Sequence, residues 1–373
     1  MRQKLLILLS SLNAGGAETQ TVHLVNNIDT EKFEVTLRYF DKREALLPKI
    51  DLSRVNSVEC LNRKGRFDLS ILEELKELVD KGQFDVILCI SPYPLLYGYL
   101  VRLFYRRRYT LVTAIHQTLQ KPGRWERMKA DIFRVLLNRC DLILFVCKNQ
   151  LDYWVNKHHL NGSKSKYIYN GIDVEYFSSK PSGADTSVLT DRYNIGEDDV
   201  VLVNVAGFRV VKKQEDLVHA AGRLREKGYP VKVLLVGDGP RRQHVESLIR
   251  SLGLQDHAFV TGLQSDVRPF LNVARCFVIS SHQETFSLAA LEAMAAGLPV
   301  VMTDVGGAGE MVESGVNGLL FPPGDIDALV ENIEQLIESN SFAAMGIESR
   351  KIVSERFTLQ KMVDEYERAL ADL

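Results

Sequence analysis

The stretch 283-QETFSLAALEAMAAGLP-299 decides how this chain is read. Two glutamates, Glu284 and Glu292, bracket seven uncharged residues in a run composed for burial. An ionised carboxylate taken out of water costs on the order of several kcal/mol unless it is paired or hydrogen-bonded, so each needs a partner. Gly297 and Pro299 stop a helix, the first as a left-handed cap and the second because it cannot continue one. Ser287 suits the N-cap position, so the spacing predicts a helix from about Leu288 to Ala296. Glu284 then falls in the loop before the helix and Glu292 on its second turn. The pair borders a helix N-terminus from two sides without sharing a face. Such a place suits a ligand with negative charge at the helix end and hydroxyls alongside, because carboxylates accept hydrogen bonds from sugar OH groups. On spacing alone it equally suits a surface helix charge and an ordinary loop residue.

Working outward, the run is preceded by a strand candidate, CFVISS (276–281), and followed by another, LPVVMTDVGG (298–307). DVVLVNVAG (199–207), VKVLLVGDG (231–239) and HAFVTG (257–262) continue the pattern upstream. The first half repeats it with KLLILLS (4–10), FEVTLRYF (33–40), FDVILCIS (84–91), YTLVTAIH (109–116) and DLILFVC (141–147). Helical stretches such as EELKELVDKG and EDLVHAAGRLREKG lie between them. Continuous apolar strands alternating with helices mean parallel sheets covered on both faces. At 373 residues the chain exceeds the roughly 250–300 at which one core stops growing. The fold class is therefore α/β, as two facing Rossmann-like, doubly wound domains over 1–180 and 199–355. The polar stretch 178–199 is the expected linker.

Composition narrows the classes. The opening MRQKLLILLSSLNAGG reads as a first strand and turn rather than a signal peptide. No window approaches the ~18 apolar residues that span a bilayer. The five cysteines form no CxxC pair, which suits buried free thiols in a reducing cytoplasm. The net charge of −2 hides an asymmetry: residues 1–180 hold 28 Lys+Arg against 20 Asp+Glu, and residues 181–373 hold 18 against 28. Most of the positive excess lies in 98–139, which reads as a solvated helix face or as a surface for something anionic, a membrane or a phosphate-bearing acceptor. No nucleic-acid motif is present.

Glycine turns follow several strands: Gly15-Gly16 after the first, then LLVGDGP and TDVGGAGEM. One such turn merely reverses a chain, but several at equivalent strand ends point to a phosphate held at helix N-termini.

At this point the chain resembles a known family. ETFSLAALEAMAAGLPVV is similar to the Glu-x7-Glu signature of the retaining glycosyltransferases of family 4, which have the GT-B fold. GGAET, AIHQ, YNGID, LLVGDGP, TGLQSDV and TDVGGAGEMV agree with it over essentially the whole length. The resemblance implies that Glu284 holds hydroxyls of the donor sugar and Glu292 the nucleotide ribose. Phe286, Ser287 and Leu288 match the segment whose N–H groups meet sugar and phosphate. Gly15 and Gly16 match the loop that closes over the diphosphate, and His116 a histidine near the transferred sugar. Without the resemblance, His116 reads as a structural histidine at a strand end. Gly262 and Leu263 fall where the family reads the base. The segment 356–373 resembles the last helix, which packs back on the first domain.

One departure stands out. The family places an Arg and a Lys about five residues apart to clamp the diphosphate, yet in AGFRVVKKQED the residue five before Lys212 is Gly207. Arg209 is the expected replacement, with Lys213 as a substitute for the lysine. Asp325-Ile326-Asp327 reads as a helix start, so no metal and no cofactor is expected. The resemblance implies transfer of a sugar from a nucleotide donor, UDP above all, to a lipid-linked or polysaccharide acceptor by front-face attack. It implies a cytoplasmic protein peripheral on the inner membrane face. A nucleotide-sugar epimerase, a phosphorylase and a non-catalytic nucleotide-sugar-binding protein remain alternatives.

Overall fold

The computed structural model describes residues 2–65, 68–106, 108–117, 124–179 and 186–373, with the backbone alone for 124–129. Seven strands form the first sheet: β1 (Gln3–Ser11), β2 (Phe33–Asp41), β3 (Ser57–Cys60), β4 (Val86–Ile90), β5 (Thr110–Ile115), β6 (Leu142–Phe145) and β7 (Ser165–Tyr167). Their order is β3-β2-β1-β4-β5-β6-β7, and every pairing is parallel. Six more form the second: β8 (Val200–Val205), β9 (Val231–Val236), β10 (Ala258–Gly262), β11 (Cys276–Ile279), β12 (Val300–Thr303) and β13 (Gly318–Phe321). These run β10-β9-β8-β11-β12-β13, again all parallel. Both are doubly wound α/β sheets of the Rossmann type. Each reverses its strand order beside its first strand, at β1/β4 and at β8/β11, and loops at those carboxyl ends frame a crevice.

The chain divides into two compact units, Met1–Gly171 with Leu359–Leu373, and Ile172–Thr358. In the first, β1 sends Leu5, Ile7 and Leu9 to one face and Leu6 and Leu8 to the other, each into its own apolar cluster. The last helix, Leu359–Ala371, buries Met362, Val363, Tyr366 and Leu370 in the same cluster as Leu5, which makes it part of this unit. The second unit packs Leu202, Val233 and Val278 of three strands against Leu217, Val218 and Leu224 of the helix Gln214–Glu226. Of the stretch 178–199 expected as a linker, residues 180–185 lie outside the described residues and Thr186–Arg192 is a helix of the second unit.

All five cysteines are free thiols; four are buried and Cys60 is half-buried. Burial pushes Cys140 and Cys276 up to about 12, which keeps them inert thiols. Asp325 caps the helix Ile326–Ser339, accepting from Ala328 N at 3.0 Å, and Asp327 pairs with Arg223.

Candidate active site

In the second unit the loops after β8, β9 and β10 are laced together through their backbones. Ala206 N donates to Val236 O at 3.0 Å, Phe208 N to Asp238 O at 2.9 Å, Arg241 N to Phe208 O at 3.1 Å and Gly237 N to Gly262 O at 2.9 Å. A side chain at Gly237 would collide with the Ala206 carbonyl, and one at Gly239 with the Phe208 backbone. The glycines of LLVGDGP therefore fit one loop against another. This packing fixes the path of the segment 206–213 that carries the cations.

Two of those cations differ sharply. Lys212 ends a short 3-10 turn, Val210–Lys212, and its ammonium pairs with the Glu284 carboxylate. The same Glu284 oxygen accepts from Ser281 Oγ at 3.1 Å. His282 N donates to Val211 O at 2.8 Å and Ser280 Oγ to Lys213 O at 2.6 Å, which zip the segment after β11 onto the segment after β8. Arg209 is exposed and its guanidinium has no hydrogen bond or ion pair among the described residues. Lys213 has a left-handed backbone, φ 49 and ψ 43, and leads directly into the helix Gln214–Glu226.

Glu284 is also held from below. Gly306 has φ +59, and a Cβ there would strike the Glu284 carbonyl; Gly307 N donates to Thr285 O at 2.8 Å. Only glycine tolerates both the conformation and the proximity. Neither Gly306 nor Ser281 was singled out from the sequence as a Glu284 support, although both sit at strand ends where the motif begins and where TDVGG follows.

The helix predicted from about Leu288 to Ala296 spans Leu288–Ala295, with Ser287 at its N-cap accepting from Ala290 N at 3.3 Å. Phe286 is buried and meets Phe357 edge to face, ring centres 5.4 Å apart, which pins the helix entry. At the far end, Arg350 donates to the carbonyls of Ala295 and Ala296 at 3.2 Å each, a cation placed where the helix dipole is negative. The half-buried Glu292 lies on the second turn. Gly262 ends β10 with φ +78, and the following Leu263 is 80% exposed with neither backbone group hydrogen-bonded among the described residues. The second unit thus presents an ion-paired Lys212 and Glu284, an open Arg209, a capped helix start and a free main-chain edge. Such a set can bind an anion and hydroxyls.

In the first unit Gly15 caps the helix Gly16–Asn27 in an extended conformation, and the Glu18 carboxylate lies so close over it that a Cβ there would collide. Burial raises the Glu18 pKa, against a backbone hydrogen bond and the charge of Arg43. His116 follows β5; burial holds its pKa down at about 4, so the imidazole is neutral, and its buried Nδ1 has no hydrogen bond among the described residues. With Ser91, Pro92, Ile115, Gln117 and Phe133 it lines a small cavity. Ser91 has φ 83 and ψ 166, a region occupied almost only by glycine and worth about 1–3 kcal/mol of strain in other residues. Strain of that kind at a strand end is a functional cue that composition does not reveal.

Comparisons with known proteins agree with this architecture. The sequence model described as "Glycosyltransferase Family 4" matches residues 14–176, and that described as "Glycosyl transferases group 1" matches residues 186–356. The chain is 27% identical to N-acetyl-alpha-D-glucosaminyl L-malate synthase of Bacillus anthracis, over 82% of this chain and 80% of that protein. It is 29% identical to the putative glycosyltransferase EpsD of Bacillus subtilis (strain 168), over 82% of each. Among solved structures, HepE of Anabaena in complex with UDP superposes with a TM-score of 0.86 at 23% identity, over 100% of both chains.

Proposed function

Since the chain belongs to glycosyltransferase family 4 and has the GT-B fold, we propose that it is a retaining enzyme that moves a sugar from a UDP-linked donor to a glycan or lipid-linked acceptor. The observation that carries this reading is the Lys212–Glu284 pair, set before a capped helix start with Arg209 open beside it. HepE has been crystallised with UDP-glucose as well as with UDP, which supports a nucleotide-sugar donor of that kind. The Bacillus subtilis relative EpsD is itself described as a glycosyltransferase, and nothing favours an epimerase.

In the proposed reaction the bond between the anomeric carbon and the β-phosphate oxygen breaks, and its electron pair leaves with UDP. Lys212 and Arg209 stabilise that growing charge together with the N–H groups of Phe286, Ser287 and Leu288; one such donor is commonly worth on the order of 10²–10³ in rate. Glu284 accepts hydrogen bonds from the sugar hydroxyls and Glu292 from the ribose. Gly262 and Leu263 offer main-chain groups to the base. The acceptor hydroxyl attacks from the face the phosphate leaves, and its proton passes to the departing phosphate oxygen. No metal enters this scheme. From the first unit, Gly15 and Gly16 serve the diphosphate and the neutral His116 serves the transferred sugar.

The first unit is proposed to meet an anionic membrane surface. Leu103, Phe104, Ile132 and Val135 are exposed on two helices beside exposed Arg106 and Arg139, an apolar and basic mixture suited to interfacial binding. Arg107 and residues 118–123 of the basic stretch lie outside the described residues. Among the described residues no helix is long and apolar enough to cross a membrane.

Incubation with UDP-glucose and related UDP-sugars tests the reading. New glycoside with the donor's anomeric configuration supports it; an inverted product, or an interconverted sugar nucleotide, contradicts it.

A further inference from the structure

At the carboxyl edge of the first sheet lies an arginine with one buried N–H left unpaired among the described residues. Arg63 follows β3, its N–H donating to Phe40 O at 2.7 Å. Its guanidinium lies 5.2 Å from the ring centre of Tyr93, in the first turn after β4. The strand order places β2 and β1 between β3 and β4, so this stack spans the carboxyl ends of β2 and β1 beside the switch point of the sheet. The side chain is only 17% exposed, and Nη1 is buried without a hydrogen bond among the described residues. The nearest carboxylate, Asp41, is 3.9 Å from Nη2. That carboxylate is already gripped by Arg43 through bonds of 2.9 and 2.7 Å, which hold its pKa down. A guanidinium cannot shed its proton inside a protein, so a buried N–H of this kind is costly until an acceptor reaches it. The turn that supplies Tyr93 also supplies Ser91 and Pro92, which line the cavity at His116.

We propose that Arg63 is the anion-binding residue of the acceptor site, and that the acceptor carries a phosphate or carboxylate in addition to the hydroxyl that receives the sugar. The inference rests on the transfer reading above and names the acceptor class that reading leaves open. Arg63 lies over the Tyr93 ring, and the planar fork of a guanidinium favours two-pronged binding of a planar or tetrahedral oxyanion over binding of a lone hydroxyl.

The test uses the full chain and inorganic phosphate, with UDP affinity measured first and UDP then kept saturating so that Lys212 and Arg209 are engaged. Calorimetric titration is expected to show saturable phosphate binding, weakened by roughly a factor of ten in Arg63→Met and partly restored in Arg63→Lys. UDP affinity and the near-UV dichroism stay unchanged in both variants, which shows that both units are folded. A parallel arm uses phosphatidylcholine vesicles with and without phosphatidic acid. Binding that requires phosphatidic acid and is lost in Arg63→Met puts the anionic group on a lipid, whereas a response to free phosphate alone puts it on a soluble acceptor. Phosphate and vesicle binding that are absent, or identical in Arg63→Met, overturn the inference. Failure to bind UDP instead removes the transfer reading, and the phosphate titration then proceeds on the Arg209→Met, Lys212→Met double variant, with and without Arg63→Met.

Discussion

The Lys212 ammonium and the Glu284 carboxylate form an ion pair whose side chains are 15% and 14% exposed. A donor that needs the lysine for its phosphate and the glutamate for its sugar has to share or divide this pair. Glu284→Gln releases the lysine while removing the strong acceptor. Transfer is expected to fall on the order of 10²–10³ while UDP binds at least as tightly as in the wild type. Lys212→Met is expected to weaken UDP by about tenfold, the scale of one charge-assisted bond. Titrations of UDP into the two variants check this, and equal losses in both contradict the division of roles.

Arg209 offers a cleaner separation of binding from folding. Its side chain is exposed and unpaired among the described residues, so Arg209→Met is expected to leave stability within about 0.5 kcal/mol. Transfer is nevertheless expected to drop by about 10- to 100-fold, the cost of one phosphate-facing cation. Denaturant unfolding beside initial rates measures both, and an unaltered rate returns the clamp to Lys212 and Lys213.

His116 sets a pH dependence whose sign is fixed by its environment. Its pKa is about 4 in the fold against 6.5 ordinarily, so between those values the unfolded chain holds the extra proton. The associated stability is complete above pH 6.5 and is lost as pH falls toward 4, by up to about 3 kcal/mol. His116→Gln is expected to flatten this part of the stability profile. Unfolding midpoints from pH 7 to 4 that run parallel in the two proteins would refute the buried, neutral imidazole.

Gly306 ties stability to the site. Gly306→Ala forces a methyl against the Glu284 carbonyl in a left-handed conformation, so a loss of about 1–3 kcal/mol is expected. Transfer should fall beyond what that instability explains, because the Glu284 loop moves with it. A rate that tracks only the folded fraction would show that Glu284 does not depend on this contact.

Ten of the thirteen strands among the described residues are legible in the sequence, the edge strand Ala258–Gly262 among them, and three are not. VILCI (Val86–Ile90) and VKVLLV (Val231–Val236) announce themselves as continuous apolar runs. SVEC (Ser57–Cys60), SKY (Ser165–Tyr167) and GLLF (Gly318–Phe321) do not, and all three lie at sheet edges. Ser57–Cys60 and Ser165–Tyr167 are short and partly exposed, which an edge strand with one neighbour tolerates, whereas Gly318–Phe321 is apolar and mostly buried but only four residues long. At the site, the helix after Ser287 was legible from its cap and its stop. The Lys212–Glu284 pair was not, because it joins residues 72 apart through the adjacency of β8 and β11. The close fit of the LLVGDGP glycines against the backbone of another loop was not legible either. Ser91 and Arg63 left no mark in the sequence at all: one is known by its dihedral angles, the other by an unpaired nitrogen.

The most direct test is a crystal of the protein soaked with UDP. The expected density places the diphosphate at the start of the helix Leu288–Ala295, within hydrogen-bond reach of Lys212, and the ribose against Glu292. Nucleotide bound elsewhere, or no nucleotide at concentrations far above those that saturate related transferases, contradicts the account.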